Sequence, residues 1–367
     1  MQEKQIKDKA TLTLLFVHLG TKVPGYLQTN IERSRAMFPG MKISLVTDSK
    51  NTGSWAMKYG IEVISYQRDV SFNSAFTFGK LESNFRNGYW RYTIERLVAI
   101  KTFHELHPTT PVLHIESDVI LMPDFPMDQV SKLDKMHWLN YGIEADIAAI
   151  IYSPSAEKTN QFHQHLIEEI KLSGGSDMEI LWKLRTKYEK NYFTFPIINS
   201  KTKSLQNAID NEDDFDIYEI APGSIFEGVF DAAGIGIWLC GGDPNNNFGL
   251  TTIHTRELID TGNIFIDSSK ATFVSGENGE LRIETAHHGL VPVYNLHIHS
   301  KNRKLLSTEW KPELIKLLTV TDKSSKVTGF NIKILIGAIY QNLRNKSLLR
   351  YILHIPILKK LKRFLKP

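Results

Sequence analysis

The chain is nearly devoid of cysteine: Cys240 is the single one among 367 residues. No disulfide framework can form within it, which favours a reducing compartment such as a cytoplasm. No run of about 18 apolar residues occurs, so no transmembrane helix is expected. The opening stretch MQEKQIKDKATLTLLFVHLG has charges but no apolar segment followed by a small-residue cleavage site, so no secretory signal is expected. Internal repeats and low-complexity tracts are also missing, which leaves an ordinary globular protein of one large domain or two smaller ones. One region lacks acids altogether. Residues 331–367 hold nine Lys and Arg and no Asp or Glu, leaving 35 basic against 40 acidic residues in the rest of the chain. A mildly acidic body argues against nucleic acid as a partner. A basic appendage points instead to one anionic surface.

What is present is alternation. TLTLLFVHLG reads as a buried strand and MKISLVTDS as a second, with the helical spacing of YLQTNIERSRAMF between them. WAMKYGIEVISY adds a short helix and a third strand, and RYTIERLVAIKTFHEL an amphipathic helix. VLHIESDVIL, ADIAAIIYSP and VPVYNLHIHS read as later strands, and SAEKTNQFHQHLIEEIKL and SDMEILWKLRTKY as helices. Residues 199–229 and 241–290 read as loops and short strands. This pattern predicts an α/β fold whose mostly parallel sheet is flanked by helices, with irregular inserts.

Two acids interrupt VLHIESDVIL. On a continuous strand, Glu116 and Asp118 would share one face, where unpaired carboxylates repel and are poorly solvated. At the carboxyl end of a parallel strand they would face the crevice in which α/β proteins bind ligands. Two carboxylates there suit a hard cation, Mn²⁺ or Mg²⁺. His297 and His299, read as sharing one face of the late strand, can complete such a site, and Lys301 can sit against phosphate. An isolated acid-x-acid pair is also what a strand end paired with Arg or Lys looks like.

The order of these pieces resembles the GT-A glycosyltransferases, nucleotide-sugar enzymes marked by an Asp-x-Asp motif after a hydrophobic strand. Here the motif reads Glu116-Ser117-Asp118. Glycogenin-type and bacterial galactosyltransferase-type members carry an Arg-bearing helix, the acidic motif, an Asp-Gln-Asp-like segment, and a late His followed by Lys. The matching positions are Arg96, then Glu116 and Asp118, then Asp177 in SDMEIL, and finally His299 with Lys301, within residues 11–303. Glu116 replaces the first Asp, Met178 stands where that pattern has Gln, and no KPW follows the His. FDAAGIGIWLCGGDP and HIHSK also resemble bacterial polysaccharide glycosyltransferases.

The resemblance implies a Rossmann-like GT-A domain over 1–305 with a basic helical extension over 306–367. It implies a metal, Mn²⁺ or Mg²⁺, held by Glu116, Asp118, His297 and His299. Nucleotide contacts are expected from His18, Gly20, Asp48, Arg96, Ser117 and Lys301. Asp177, Asp231 and Asp243 are the candidates for catalytic carboxylates. The implied donor is a nucleotide sugar, UDP-linked, and the implied acceptor a glycan or lipid-linked glycan of a bacterial surface polysaccharide. The residues also allow blander roles: a capping box for Ser176 and Glu179, turns for Asp48 and Asp243, an intrahelical ion pair for Arg96. In the extension, Leu358, Leu361 and Leu365 lie opposite Lys359, Lys360, Lys362, Arg363 and Lys366, the pattern of an interfacial helix on the inner face of a plasma membrane. Packing on the body or on another subunit is the alternative. A nucleotidyltransferase, which needs a Gly-rich, Arg-bearing loop after the first strand, and a non-catalytic sugar- or nucleotide-binding module are the competing functions. HLGTKVPGYL is poor in Gly for the former.

Overall fold

The computed structural model describes residues 12–77, 83, 85, 88–142, 144–200, 215–218, 225–240, 272–276, 278–285, 288–301 and 303–307. Asp243 and most of the basic extension lie outside the described residues. The first half contains β1 (Thr13–His18), α1 (Gly25–Met37), β2 (Lys42–Thr47), α2 (Lys50–Lys58), β3 (Glu62–Ser65), α3 (Val70–Ala75) and α4 (Tyr89–Leu106). Then come β4 (Val112–Ile115), β5 (Val119–Leu121), α5 (Met127–Val130), β6 (Met136–Gly142), β7 (Ala145–Ser153), α6 (Ala156–Ser173) and α7 (Asp177–Lys187). The remainder supplies β8 (Tyr192–Thr194), β9 (Ile197–Ser200), β10 (Phe215–Tyr218), α8 (Gly234–Cys240), β11 (Phe273–Ser275), β12 (Leu281–Thr285), β13 (Gly289–Pro292), β14 (Asn295–His297) and α9 (Arg303–Leu306).

Seven strands form one sheet in the order β3-β2-β1-β4-β7-β6-β8. The β3-β2-β1-β4 half is parallel, β7 runs antiparallel to β4 and β6, and β8 is parallel to β6. The α/β class read from the alternation is therefore what the chain adopts. β1 shows why its sequence is an unbroken apolar run. Leu14 and Phe16 pack with Leu27 and Ile31 of α1 on one face, and Leu15 and Val17 with Ile94, Leu97 and Val98 of α4 on the other. A strand covered on both faces has no solvent side, so its period-2 signal disappears. A third apolar cluster joins Ile120, Met122, Ile235, Leu239, Leu281 and Leu296 beneath the β11-β12-β13 sheet. Leu305 and Leu306 of α9 belong to it, so the boundary expected at 305 falls inside a helix anchored in this core.

Two strand expectations need correction. VLHIESDVIL is two strands: β4 belongs to the large sheet, while β5 pairs antiparallel with β14 in a separate ribbon. Glu116 and Asp118 therefore occupy the intervening turn, in which the Val119 amide bonds the Glu116 carbonyl at 3.0 Å. The turn keeps two acids from being stacked on one buried strand face. VPVYNLHIHS is broken as well, because β13 turns away to pair with β12 and only Asn295–His297 pairs with β5. His299 lies beyond β14, not along one strand face with His297.

Buried polar chains fix the helices that carry site residues. Asp146, fully buried, accepts from Trp138 Nε1 at 2.8 Å, Asn140 Nδ2 at 2.8 Å and Arg185 Nε at 2.6 Å, which ties α7 to the sheet. At the other end of α4, His104 Nε2–H donates to Thr110 O at 2.9 Å while Nδ1 accepts from Thr159 Oγ1 at 2.8 Å. Burial holds the His104 pKa down to about 4, which keeps the ring neutral near pH 7 with Nδ1 as the acceptor. The unfolded chain takes up this proton near pH 6.5, so stability is full above that value and falls as pH drops toward 4. Acidification from pH 7 to pH 5 is expected to cost about 2 kcal/mol through this group alone. Urea titrations at the two pH values check it. A His104→Gln chain that loses as much as the wild type would remove His104 as the source.

Candidate functional site

The C-terminal ends of the parallel strands place the site. β4 ends at Ile115, and the following turn is pinned from α1 by Asn30, whose Nδ2 donates to Ser117 O at 3.1 Å and Val119 O at 2.6 Å. Asn30 is fully buried on the α1 face that packs on β5. From the other side, the Ile298 amide donates to Asp118 O at 2.7 Å. So held, both carboxylates face His297: Nε2 lies 3.1 Å from Glu116 Oε2 and 3.6 Å from Asp118 Oδ1. The ligand atoms of these three residues lie within 4.8 Å of one another.

The His297 ring is oriented from behind. Its Nδ1–H donates to Ala232 O at 3.0 Å, which turns Nε2 toward the carboxylates. An imidazole whose far nitrogen is committed to a carbonyl is the form that ligates metals. Burial opposes a charge on the ring, but hydrogen bonds to Asp118 and Glu116 outweigh it and push the pKa well above the ordinary value. Burial likewise works against ionising Glu116, yet Arg96 and His297 hold its carboxyl well below the usual range. Asp118 is lowered against burial too, with His297 the main cause. Glu116, Asp118 and His297 are the residues that would hold a divalent cation here. These residues fit Mn²⁺ or Mg²⁺ by donor type.

Asp231, Asn295 and Gly236 form the support of that ring. Asp231 is buried, and its carboxylate accepts the amides of Ile235 at 3.0 Å, Gly236 at 2.8 Å and His297 at 3.0 Å. Asn295 exchanges two hydrogen bonds with the Asp231 backbone. Gly236 lies so close to the His297 carbonyl that a Cβ there would clash with it. The small residues of FDAAGIGIW thus permit a close backbone approach, as their sizes suggest. Asp231, a candidate general base on sequence, has its carboxylate committed to capping α8 and fixing the β14 backbone.

Arg96 on α4 pairs with Glu116 and, at 3.5 Å, with Asp177. It bridges three elements and does not form the intrahelical pair. Asp177 opens α7 behind the capping box that Ser176 and Glu179 form as their sequence implies. It is buried, and desolvation raises its pKa against the pull of Arg96. Lys301, in the left-handed region with φ 52°, places Nζ 4.0 Å from Asp118 Oδ2. His299 stacks on His297 with ring centroids 3.9 Å apart but is not among the three converging groups. Burial holds its pKa down to about 3. Among the described residues, His299 Nε2 and the neighbouring Ser300 Oγ are buried without a hydrogen-bond partner.

At the same sheet edge, the Gly20 amide donates to Asp48 Oδ1 at 2.8 Å and His18 bonds the Lys22 carbonyl at 2.8 Å. Gly20 has φ +121°, a conformation that disfavours a side chain. His18 and Thr47 are register partners, so these groups sit side by side at the ends of β1 and β2. Ser117 is held through its backbone carbonyl, which accepts from Asn30 Nδ2. The sequence reading missed Asn30, Asn295 and Tyr89. The first two had a signal, an amide within an otherwise apolar stripe or strand. Tyr89 lies on α4 two turns before Arg96, which pairs with Asp177. Its hydroxyl is pushed up by burial and then by Asp177 and Glu116.

No family model matches the chain, and no curated protein matches its sequence. Among solved structures it is similar to galactosyltransferase LgtC in complex with donor and acceptor sugar analogs. That match has 11% identity over 50% of this chain and 72% of that one, with a TM-score of 0.34. It is similar to the PaToxG glycosyltransferase at 13% identity over 48% and 70%, with a TM-score of 0.27. It is also similar to CMP:2-keto-3-deoxy-manno-octonic acid synthetase complexed with CTP, at 12% identity over 51% and 89%, with a TM-score of 0.28.

Proposed function

We propose that this chain is a metal-dependent glycosyltransferase that moves a sugar from a nucleotide-sugar donor, UDP-linked, to a glycan or lipid-linked acceptor of a surface polysaccharide. The observation that carries the reading is the convergence of Glu116, Asp118 and an oriented His297 at the C-terminal edge of a parallel sheet. Mn²⁺ or Mg²⁺ held there by these residues would supply Lewis-acid stabilisation of charge on the departing diphosphate. Lys301 beside Asp118 and His299 beside His297 offer donors to phosphate oxygens. The ends of β1 and β2, with His18, Gly20 and Asp48, bind the nucleoside. Arg96 keeps Glu116 and Asp177 apart in role, holding the first ionised and orienting the second.

Of the three candidate carboxylates, Asp177 is the one that the surroundings suit to general base work. Asp231 is committed to backbone amides, and Asp243 lies outside the described residues. Burial raises Asp177 toward the range in which a carboxylate takes a proton efficiently. The acceptor hydroxyl passes its proton to Asp177 as its oxygen bonds the anomeric carbon. The anomeric carbon–oxygen bond to phosphate breaks, and its electron pair stays on the diphosphate. The nucleotidyltransferase reading gains no support from the β1–α1 loop, whose residues 19–24 hold a single glycine and no arginine.

No described helix is long and apolar enough to cross a membrane. We place the enzyme in the cytoplasm and assign its basic extension, outside the described residues, to an anionic leaflet. There each Lys or Arg near the surface contributes about 1 kcal/mol. One experiment covers both assignments. Purified chain with Mn²⁺ and a panel of nucleotide sugars, with and without anionic vesicles, is expected to release nucleoside diphosphate from one donor and to sediment with vesicles at low salt. Silence across the panel, together with no metal-dependent nucleotide binding by calorimetry, would overturn the enzyme. Vesicles that leave the protein in the supernatant would overturn the membrane assignment alone.

A further inference from the structure

Three aromatic side chains stand together where α4 begins. Phe85 stacks on Trp90 with centroids 5.3 Å apart and an interplanar angle of 20°. Tyr89 meets both edge-on, at 5.7 Å from Phe85 and 5.2 Å from Trp90. Burying such rings is the ordinary outcome of folding, yet Tyr89 is 38% exposed and Phe85 and Trp90 are only half-buried. The helix opens without a side-chain cap, on Gly88 at φ +88°, a conformation that glycine adopts without strain. The cluster is not remote from the chemistry. Tyr89, Thr93 and Arg96 follow one face of α4, and Arg96 pairs with Asp177 at 3.5 Å. Tyr89 lies two turns before Arg96 on that face, on the side of α4 that carries the Arg96–Asp177 pair, and part of its ring meets solvent.

We infer that the Phe85-Tyr89-Trp90 cluster is the acceptor platform of the site, and that its ligand is a neutral pyranose. This rests on the proposed glycosyl transfer and adds the class of acceptor to it. A pyranose presents an apolar C–H face and a rim of hydroxyls. The negative face of an aromatic ring attracts the weakly positive C–H face, and the nearby Asp177 carboxylate accepts from a hydroxyl on the rim. Glu116, Asp118 and Asp177 are each paired with a basic side chain, Arg96, His297 or Lys301, which leaves no unpaired charge to favour an ionic acceptor. A sugar lying on Tyr89 directs a hydroxyl toward Asp177, the group proposed to take its proton.

The test uses the full chain with Mn²⁺ and UDP, titrated with the methyl pyranosides of glucose, galactose, mannose and N-acetylglucosamine by ligand-observed NMR. At least one pyranoside is expected to bind. Tyr89→Ala and Trp90→Ala are expected to weaken it at least tenfold. Tyr89→Phe and Trp90→Phe, which keep a ring, are expected to remain within about threefold of wild type. Melting curves establish that each variant is folded. Binding of no pyranoside to a wild-type sample that does bind UDP with Mn²⁺ would overturn the platform and leave the transferase reading standing. Equal binding by a folded alanine variant and the wild type would do the same. Pyranoside binding by a chain that ignores UDP and metal would support the platform and sink the transfer reaction.

Discussion

Alanine at Asp118 is expected to lower metal-dependent release of nucleoside diphosphate at least ~10³-fold, about 4 kcal/mol of lost transition-state stabilisation. Asp118 is one of two carboxylates facing His297 Nε2, and its removal leaves Glu116, which is already paired with Arg96. One imidazole and one shared carboxylate make a poor site for a hard cation, which prefers several oxygen ligands. The same substitution should scarcely touch the fold, because Asp118 is held by its backbone through Ile298 and its side chain contacts only His297 and Lys301 among the described residues. A second readout therefore separates the two effects. Mn²⁺ at a hundred times its dissociation constant stabilises a protein that binds it only when folded by about 2.7 kcal/mol. Wild type should show that rise in melting temperature and Asp118→Ala should not. A variant stabilised by Mn²⁺ as strongly as wild type would remove Asp118 from the metal site.

Asp231 makes the opposite case, a carboxylate whose loss should first be felt in stability. Asp231→Ala leaves the amides of Ile235, Gly236 and His297 buried without acceptors. Each orphaned donor costs about 1–3 kcal/mol, so a loss of about 3–5 kcal/mol is expected, allowing for partial relaxation. That is a large share of the whole stability of a typical domain. Denaturant unfolding of wild type and variant measures it directly. A stable Asp231→Ala protein without activity would restore Asp231 as a general base and refute its assignment to the scaffold.

The contrast between these two aspartates shows what can be read from a chain of residues. β1, β2, α1 and α4 were legible because each is a local run whose apolar spacing reflects the faces it buries. The capping box of Ser176 and Glu179 was legible for the same reason, its partners being three residues apart. VLHIESDVIL looked like one strand because nothing local marks the point at which β4 stops pairing with β7 and β5 begins pairing with β14. Arg96 carried a plausible local partner and took two distant ones. Asp231 and Asp177 differ little as letters in a sequence. One finds amides from α8 and β14, and the other finds Arg96, while burial raises the pKa of both.

The sequence by itself determined the chemical inventory: two acids within an apolar stretch, two late histidines, and a basic extension. It also determined the β-α alternation that puts strand ends on one edge, because burial patterns are written in local periodicity. Only the tertiary structure decided that His297 and not His299 meets Glu116 and Asp118, and that Asn30 and Asp231 hold that meeting in place. Those outcomes depend on pairing between segments far apart in the chain, where geometry within an ångström selects the partner and no local pattern records the choice.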